Sequence, residues 1–180
     1  MKTLNLLIAL SLLLLFGCSE PKTDGITTIL QPNTDQGLSF PVYDNFDAIE
    51  GLFNQQNDTT YVINFWATWC APCVEELPHF QQLARDYTGK PLRIVLVSLD
   101  FKKDLTTKLP RFIEEFPLDP RSLPVVALTD KDQNSWIDRV DSRWTGTIPI
   151  TVIYKNGLRF FVDKSFSTYQ DLKTQVEPLM

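Results

Sequence analysis

Two cysteines separated by two residues, in Trp69-Cys70-Ala71-Pro72-Cys73, are the side chains best suited to chemistry. A thiol pair at this spacing closes onto itself within one helical turn. It exchanges disulfides when one sulfur is held as a thiolate, and a free thiol with a pKa of about 8.5 is mostly protonated at neutral pH. A helix N-terminus supplies unpaired N–H groups and roughly half a positive charge, both of which favour the thiolate. The pair therefore needs to open a helix, and Pro72 suits a first turn, where its missing N–H costs nothing. A structural zinc site wants four protein ligands. Beyond this pair the chain has one histidine, His79, and one cysteine, Cys18, which ends the apolar N-terminal run, so no second cysteine pair is there to complete such a set. As a covalent staple the pair is also poor, because so short a loop removes little entropy from the unfolded chain.

The flanking residues predict the elements that must position this pair. Tyr61-Val62-Ile63-Asn64-Phe65-Trp66 is short, β-rich and mostly apolar, which reads as a buried central strand. Pro72 to Tyr87 carries Val74, Leu77, Phe80, Leu83, Ala84 and Tyr87 at helical spacing, with Pro78 as a kink. Before them, Asp44 to Asn57 presents Phe46, Ile49, Leu52 and Phe53 on one helical face. After them, Leu92 to Leu99 predicts a second buried strand and Leu105 to Phe116 a helix with an irregularity at Pro110. Pro124 to Leu128 predicts an edge strand, because proline cannot donate to a ladder. Asp132 to Val140 predicts a short helix. Ile150 to Tyr154 and Leu158 to Val162 flank Lys155-Asn156-Gly157, a hairpin signal. Thr168 to Leu179 closes as a helix. The order predicts an α/β domain over residues 41–180, with a central mixed β-sheet and helices on both faces.

The N-terminus is of another kind. Lys2 precedes an almost wholly apolar run, Leu4 to Phe16, that is short for a membrane span. This is the pattern of an export signal over residues 1–17. The run ends Leu15-Phe16-Gly17-Cys18, which resembles the lipobox of bacterial lipoproteins, although Phe16 departs from the small or aliphatic residue usual there. That resemblance implies lipidation of Cys18 and contact with a bilayer. Ser19 and Glu20 carry no retention aspartate, which favours an outer over an inner membrane. Residues 18–40 are polar and aperiodic and read as a flexible tether. With a formal charge of −5, nothing in the chain suggests a nucleic-acid surface, which would want a basic face.

The segment Val62 to Cys73 resembles the active-site strand and turn of the thioredoxin superfamily, so the α/β domain is expected to have the thioredoxin fold. The continuation Cys73-Val74-Glu75-Glu76-Leu77-Pro78 resembles the C-x-x-E-x-P run of exported TlpA/ResA-like disulfide reductases. Trp144-Thr145-Gly146-Thr147-Ile148-Pro149-Ile150-Thr151 resembles their cis-proline loop. The resemblance implies a thiol–disulfide oxidoreductase in which Cys70 is the nucleophile and Cys73 resolves the mixed disulfide. Ala71 and Pro72 form the active-site turn. Pro149 follows a cis bond beside the pair, and the Ile148 backbone pairs with an extended substrate. Glu76 moves a proton for Cys73, and Trp69 presents a substrate-facing surface. Asn64 departs from thioredoxins proper, which carry a buried aspartate there. An amide moves no proton at neutral pH, so the acid role shifts to Glu76.

The Ala-Pro spacer lacks the histidine of strongly oxidising exported enzymes and so favours reduction. The alternatives are an oxidase or isomerase using the same cysteines, and a metal-delivery module on the same scaffold. No cofactor beyond the redox-active Cys70–Cys73 disulfide, and no bound metal, is expected. The expected partners are protein thiols or disulfides and a membrane thiol relay as electron donor. The expected location is the cell envelope of a bacterium, lipid-anchored and facing the periplasm.

Overall fold

The computed structural model describes residues 25–180 except Pro117 and Pro120. The expected signal segment and the lipidation site Cys18 lie outside the described residues. Among the described residues no helix is long and apolar enough to cross a membrane.

The scaffold is a six-stranded mixed sheet in the order β1-β4-β3-β2-β5-β6. Its strands are β1 (Val42–Tyr43), β2 (Thr60–Trp66), β3 (Leu92–Ser98), β4 (Val125–Leu128), β5 (Ile150–Lys155) and β6 (Leu158–Val162). The neighbours β1, β4, β3 and β2 run parallel, while β5 is antiparallel to both β2 and β6. Every residue of β2 is buried, and its side chains alternate between two cores. Val62 and Trp66 join one apolar cluster with Leu77, Phe80 and Leu172. Tyr61, Ile63 and Phe65 join the other with Phe46, Leu52 and Trp136. The helices are α1 (Ile26–Ile29), α2 (Ala71–Asp86), α3 (Lys108–Glu115), α4 (Ile137–Val140) and α5 (Tyr169–Val176). The architecture is the thioredoxin fold, with helices on both faces of the sheet.

The apolar stripe of α2 packs as its spacing predicts: Cys73, Glu76, Leu77, Phe80, Leu83 and Ala84 are its buried residues. The helix continues through Pro78, which lies on the exposed side. Pro110 falls in the first turn of α3, where no intrahelical acceptor awaits its N–H, and so α3 begins later than the apolar stripe suggested. Asn156 and Gly157 both adopt positive φ, 45° and 84°, as a tight hairpin turn requires. Thr168 caps α5 in a reciprocal capping box with Asp171.

Four expectations are corrected. Residues 25–40 are not a free tether: Ile26 is fully buried against the second core, Phe40 is buried in the first, and the Asn33 side chain brackets the Val42 backbone with bonds of 2.8 and 2.9 Å. Strand β4 is not an edge. The two-residue β1, too short to stand out in the sequence, pairs Val42 with Ala127, and Pro124 ends up just before the strand, its carbonyl accepting the Leu96 N–H. Residues 44–57 form two 3-10 turns, Phe46–Ala48 and Glu50–Phe53, rather than one helix. Gly51 lies in the second of them, and a Cβ there would come within 3.2 Å of Ile29 in α1. Residues 132–140 likewise split into a 3-10 turn, Gln133–Ser135, and α4.

Candidate functional site

Strand β2 delivers the chain to a sharp turn in which the Cys70 N–H donates to the Ala67 carbonyl at 3.1 Å. Cys70 is extended (φ −95°, ψ 97°) and caps α2, with Pro72 in the first turn. The sulfurs of Cys70 and Cys73 are joined in a disulfide across a Cα separation of 5.3 Å. Cys73 is fully buried, whereas Cys70 retains 6% exposure. Ala71 and Pro72 are exposed on the turn. Of the two residues only Cys70 therefore retains any surface, and its sulfur sits where the helix end stabilises an anion.

A second loop faces this sulfur. The Ile148–Pro149 bond is cis, and the Ile148 carbonyl lies 3.7 Å from the Cys70 sulfur. Gly146 takes φ 87°, and the buried Trp144 anchors the loop by donating its indole N–H to the Thr147 carbonyl at 2.7 Å. Ile148 is half-buried and Pro149 buried. Trp69, next to Cys70, is 52% exposed.

Glu76 lies three residues beyond Cys73, about 4.5 Å further along the helix axis, and shares its buried face. Its Oε1 accepts from the Asn64 amide at 2.9 Å and its Oε2 from the Phe166 N–H at 2.8 Å. Burial pushes the Glu76 carboxyl up from its ordinary 4.5 to about 7, against the pull of those two donors. The Asn64 amide nitrogen also reaches the Thr151 hydroxyl at 3.0 Å, while its oxygen has no partner among the described residues. A buried carboxyl near neutral pKa, one turn from Cys73, can hold or release a proton there. Glu75 is exposed, and His79 is partly buried on the same helix.

Sequence reasoning missed a clasp on the other side of the turn. Three consecutive residues after β3 hold three positions before Cys70. The Leu99 N–H donates to the Trp66 carbonyl at 2.8 Å. The buried Asp100 carboxylate accepts from the Thr68 N–H at 3.1 Å, the Thr68 hydroxyl at 2.5 Å and the Ser98 hydroxyl at 2.8 Å. Phe101, 57% exposed, stacks on Trp69 with ring centroids 5.8 Å apart. The available signal was an acid and an aromatic closing an otherwise apolar strand.

Residues 44–118 match the family model described as Thioredoxin. Among relatives, the thiol–disulfide oxidoreductase ResA of Oceanobacillus iheyensis is 44% identical over 57 residues, 32% of this chain and 28% of that protein. ResA of Geobacillus thermodenitrificans is 30% identical over 122 residues, 65% of this chain and 61% of that protein. The chain thus spans less than two thirds of the length of these relatives. Among solved structures, a thioredoxin-related protein from Neisseria meningitidis serogroup B superposes with a TM-score of 0.57 at 19% identity, covering 82% of this chain and 91% of that one. That likeness supports the fold, and the family match spans the strand, turn and helix that carry Cys70 and Cys73. The chain thus has the thioredoxin fold, and over the matched residues it is similar to the thioredoxin family and to the ResA thiol–disulfide oxidoreductases.

Proposed function

We propose that the protein is an exported, lipid-anchored thiol–disulfide oxidoreductase that reduces disulfides in other polypeptides. The observation that carries this reading is the asymmetry of the pair: Cys70, at the start of α2, retains some exposed surface, and Cys73 is fully buried. In the reduced protein the Cys70 thiolate attacks one sulfur of the substrate disulfide. A mixed disulfide forms and the other substrate sulfur leaves as a thiolate. Cys73 then loses its proton to the Glu76 carboxylate and attacks the Cys70 sulfur. The second substrate sulfur leaves as a thiolate, and the Cys70–Cys73 disulfide remains. The extended substrate pairs with the backbone of Ile148 in the manner of strand addition. Trp69 and Pro149 bound the approach, while Ala71 and Pro72 fix the turn. A reducing thiol pair in the membrane, acting as a relay, returns the protein to its dithiol form.

The signal-like segment and Cys18 support export and an acyl anchor in the cell envelope, facing the periplasm, with the outer membrane favoured by Ser19 and Glu20. Cys73→Ser tests the chemistry. It should accumulate mixed disulfides through Cys70 that a further Cys70→Ser change removes; no trapped species would reject the assigned order of the two sulfurs. The direction is tested by the reduction potential. A value near thioredoxin's, about −270 mV, supports a reductase, and one near about −120 mV makes the protein an oxidase.

A further inference from the structure

The exposed ring pair beside Cys70 is one wall of a groove of about 410 Å³, and nothing in the redox chemistry itself uses it. Trp69, Leu99, Phe101, Leu128, Gly146 and Ile148 line it. Ile148 belongs both to this lining and to the surroundings of the Cys70 sulfur, so the groove begins where disulfide exchange occurs. An extended polypeptide repeats its side-chain direction every second residue, about 6.6 Å along the strand. A strand with its cysteine at Cys70 thus offers the groove the side chain two residues away.

The charges around the groove are sorted. Asp100 turns inward onto Thr68 and Ser98, and Asp130 is committed to the backbone N–H groups of Phe46 and Asp132. The exposed charged side chains of the lining are Lys102 and Lys131, and among the described residues neither forms an ion pair. Lys103 adds a third cation, 5.7 Å from the centre of the Phe101 ring. A cationic rim on a chain of net charge −5 runs against the overall balance.

We propose that this groove is a specificity subsite for cysteine-bearing polypeptides in extended form. It takes a large apolar side chain, best an aromatic one, two residues from the substrate cysteine. Lys102 and Lys131 pair with acidic residues beyond it. Offset stacking on the Trp69–Phe101 pair rewards a ring, and the lysines add salt-dependent selection by charge. The proposal rests on the reductase reading for its role in turnover but not for its binding.

The test uses three disulfide-cyclised peptides that differ only in the flank of one cysteine: Phe with Glu, Ala with Glu, and Phe with Lys. The purified mature protein should reduce the Phe/Glu peptide with a kcat/KM at least tenfold above either of the others. Phe101→Ala should collapse the Phe-over-Ala ratio. A Lys102→Glu, Lys131→Glu double variant should reverse the Glu-over-Lys ratio. Ratios that survive both variants, or equal rates in the unmodified protein, overturn the proposal. Calorimetric binding of the same sequences with serine in place of cysteine, to the oxidised protein, is read independently of turnover. At least fivefold tighter binding of the Phe/Glu form supports the subsite even if no peptide is reduced, whereas equal dissociation constants overturn it.

Discussion

Replacing Glu76 by glutamine removes a group whose titration the fold couples to stability. The carboxyl is fully buried, and burial lifts it from 4.5 to about 7. Because the folded-state pKa is the higher one, the folded protein binds more protons than the unfolded chain between those values. Stability from this group is therefore fully present below about pH 4.5 and is lost as pH rises to about 7. At about 1.36 kcal/mol for each pH unit, the loss amounts to ~3 kcal/mol. A glutamine in its place cannot ionise, so the stability of the variant should lack that decline, although the new amide must face a donor at Phe166 or Asn64 and lower the whole curve. The assay is urea unfolding of the disulfide-bonded protein at half-unit steps from about pH 4.5 to about pH 8, for wild type and Glu76→Gln. All other titrating groups are shared, so the difference curve isolates this one. It should shift by ~3 kcal/mol in favour of glutamine across the interval, a midpoint change of about 1.5 M urea for a slope of about 2 kcal/mol per M. A difference curve flat to within about 0.5 kcal/mol would refute the claim that the protein desolvates this carboxyl.

Two further changes test the surroundings of the site. Asp100→Ala strands the Thr68 N–H and the hydroxyls of Thr68 and Ser98, and should lower unfolding stability by about 1–3 kcal/mol; a loss below about 0.5 kcal/mol in urea would remove the clasp from the account. Ile26→Ala empties space in the apolar cluster that also holds Ile49 and Leu52 and should cost about 2–5 kcal/mol in thermal or urea unfolding, whereas an unchanged midpoint would return residues 25–40 to the role of a tether.

What the sequence disclosed was what is encoded locally. The strand, turn and helix around Cys70 form one unbroken run of residues, where an apolar stretch gives way to Cys-Ala-Pro-Cys and then to a helical stripe. The Asn156-Gly157 hairpin is local in the same way. What escaped notice depends on distant partners. Asp100 is explained by Thr68, 32 positions earlier, and the Oε2 of Glu76 by the Phe166 N–H, 90 positions later. Ile26, Ile29, Leu38 and Phe40 are apolar but aperiodic, so they carry no pattern until the domain supplies two surfaces for them to cover. Strand β1 has two residues, and its pairing with β4 alone makes it visible.

The exchange of roles between Asn64 and Glu76 follows from the same geometry. Their side chains meet at 2.9 Å, in a place closed to water. Two carboxylates that close could not both ionise, and one pKa would be driven far above neutrality. An amide on the strand instead donates to the acid on the helix and pulls its pKa downward against desolvation. The acid thereby stays titratable near pH 7, as the proposed proton transfer with Cys73 requires. A carboxyl on α2 rather than β2 also stands on the element that carries Cys73, so its spacing from that cysteine is set by one helical turn rather than by the packing of helix on sheet. The departure at position 64 and the acid at position 76 are thus two halves of one arrangement, and neither residue type is suited to this place without the other.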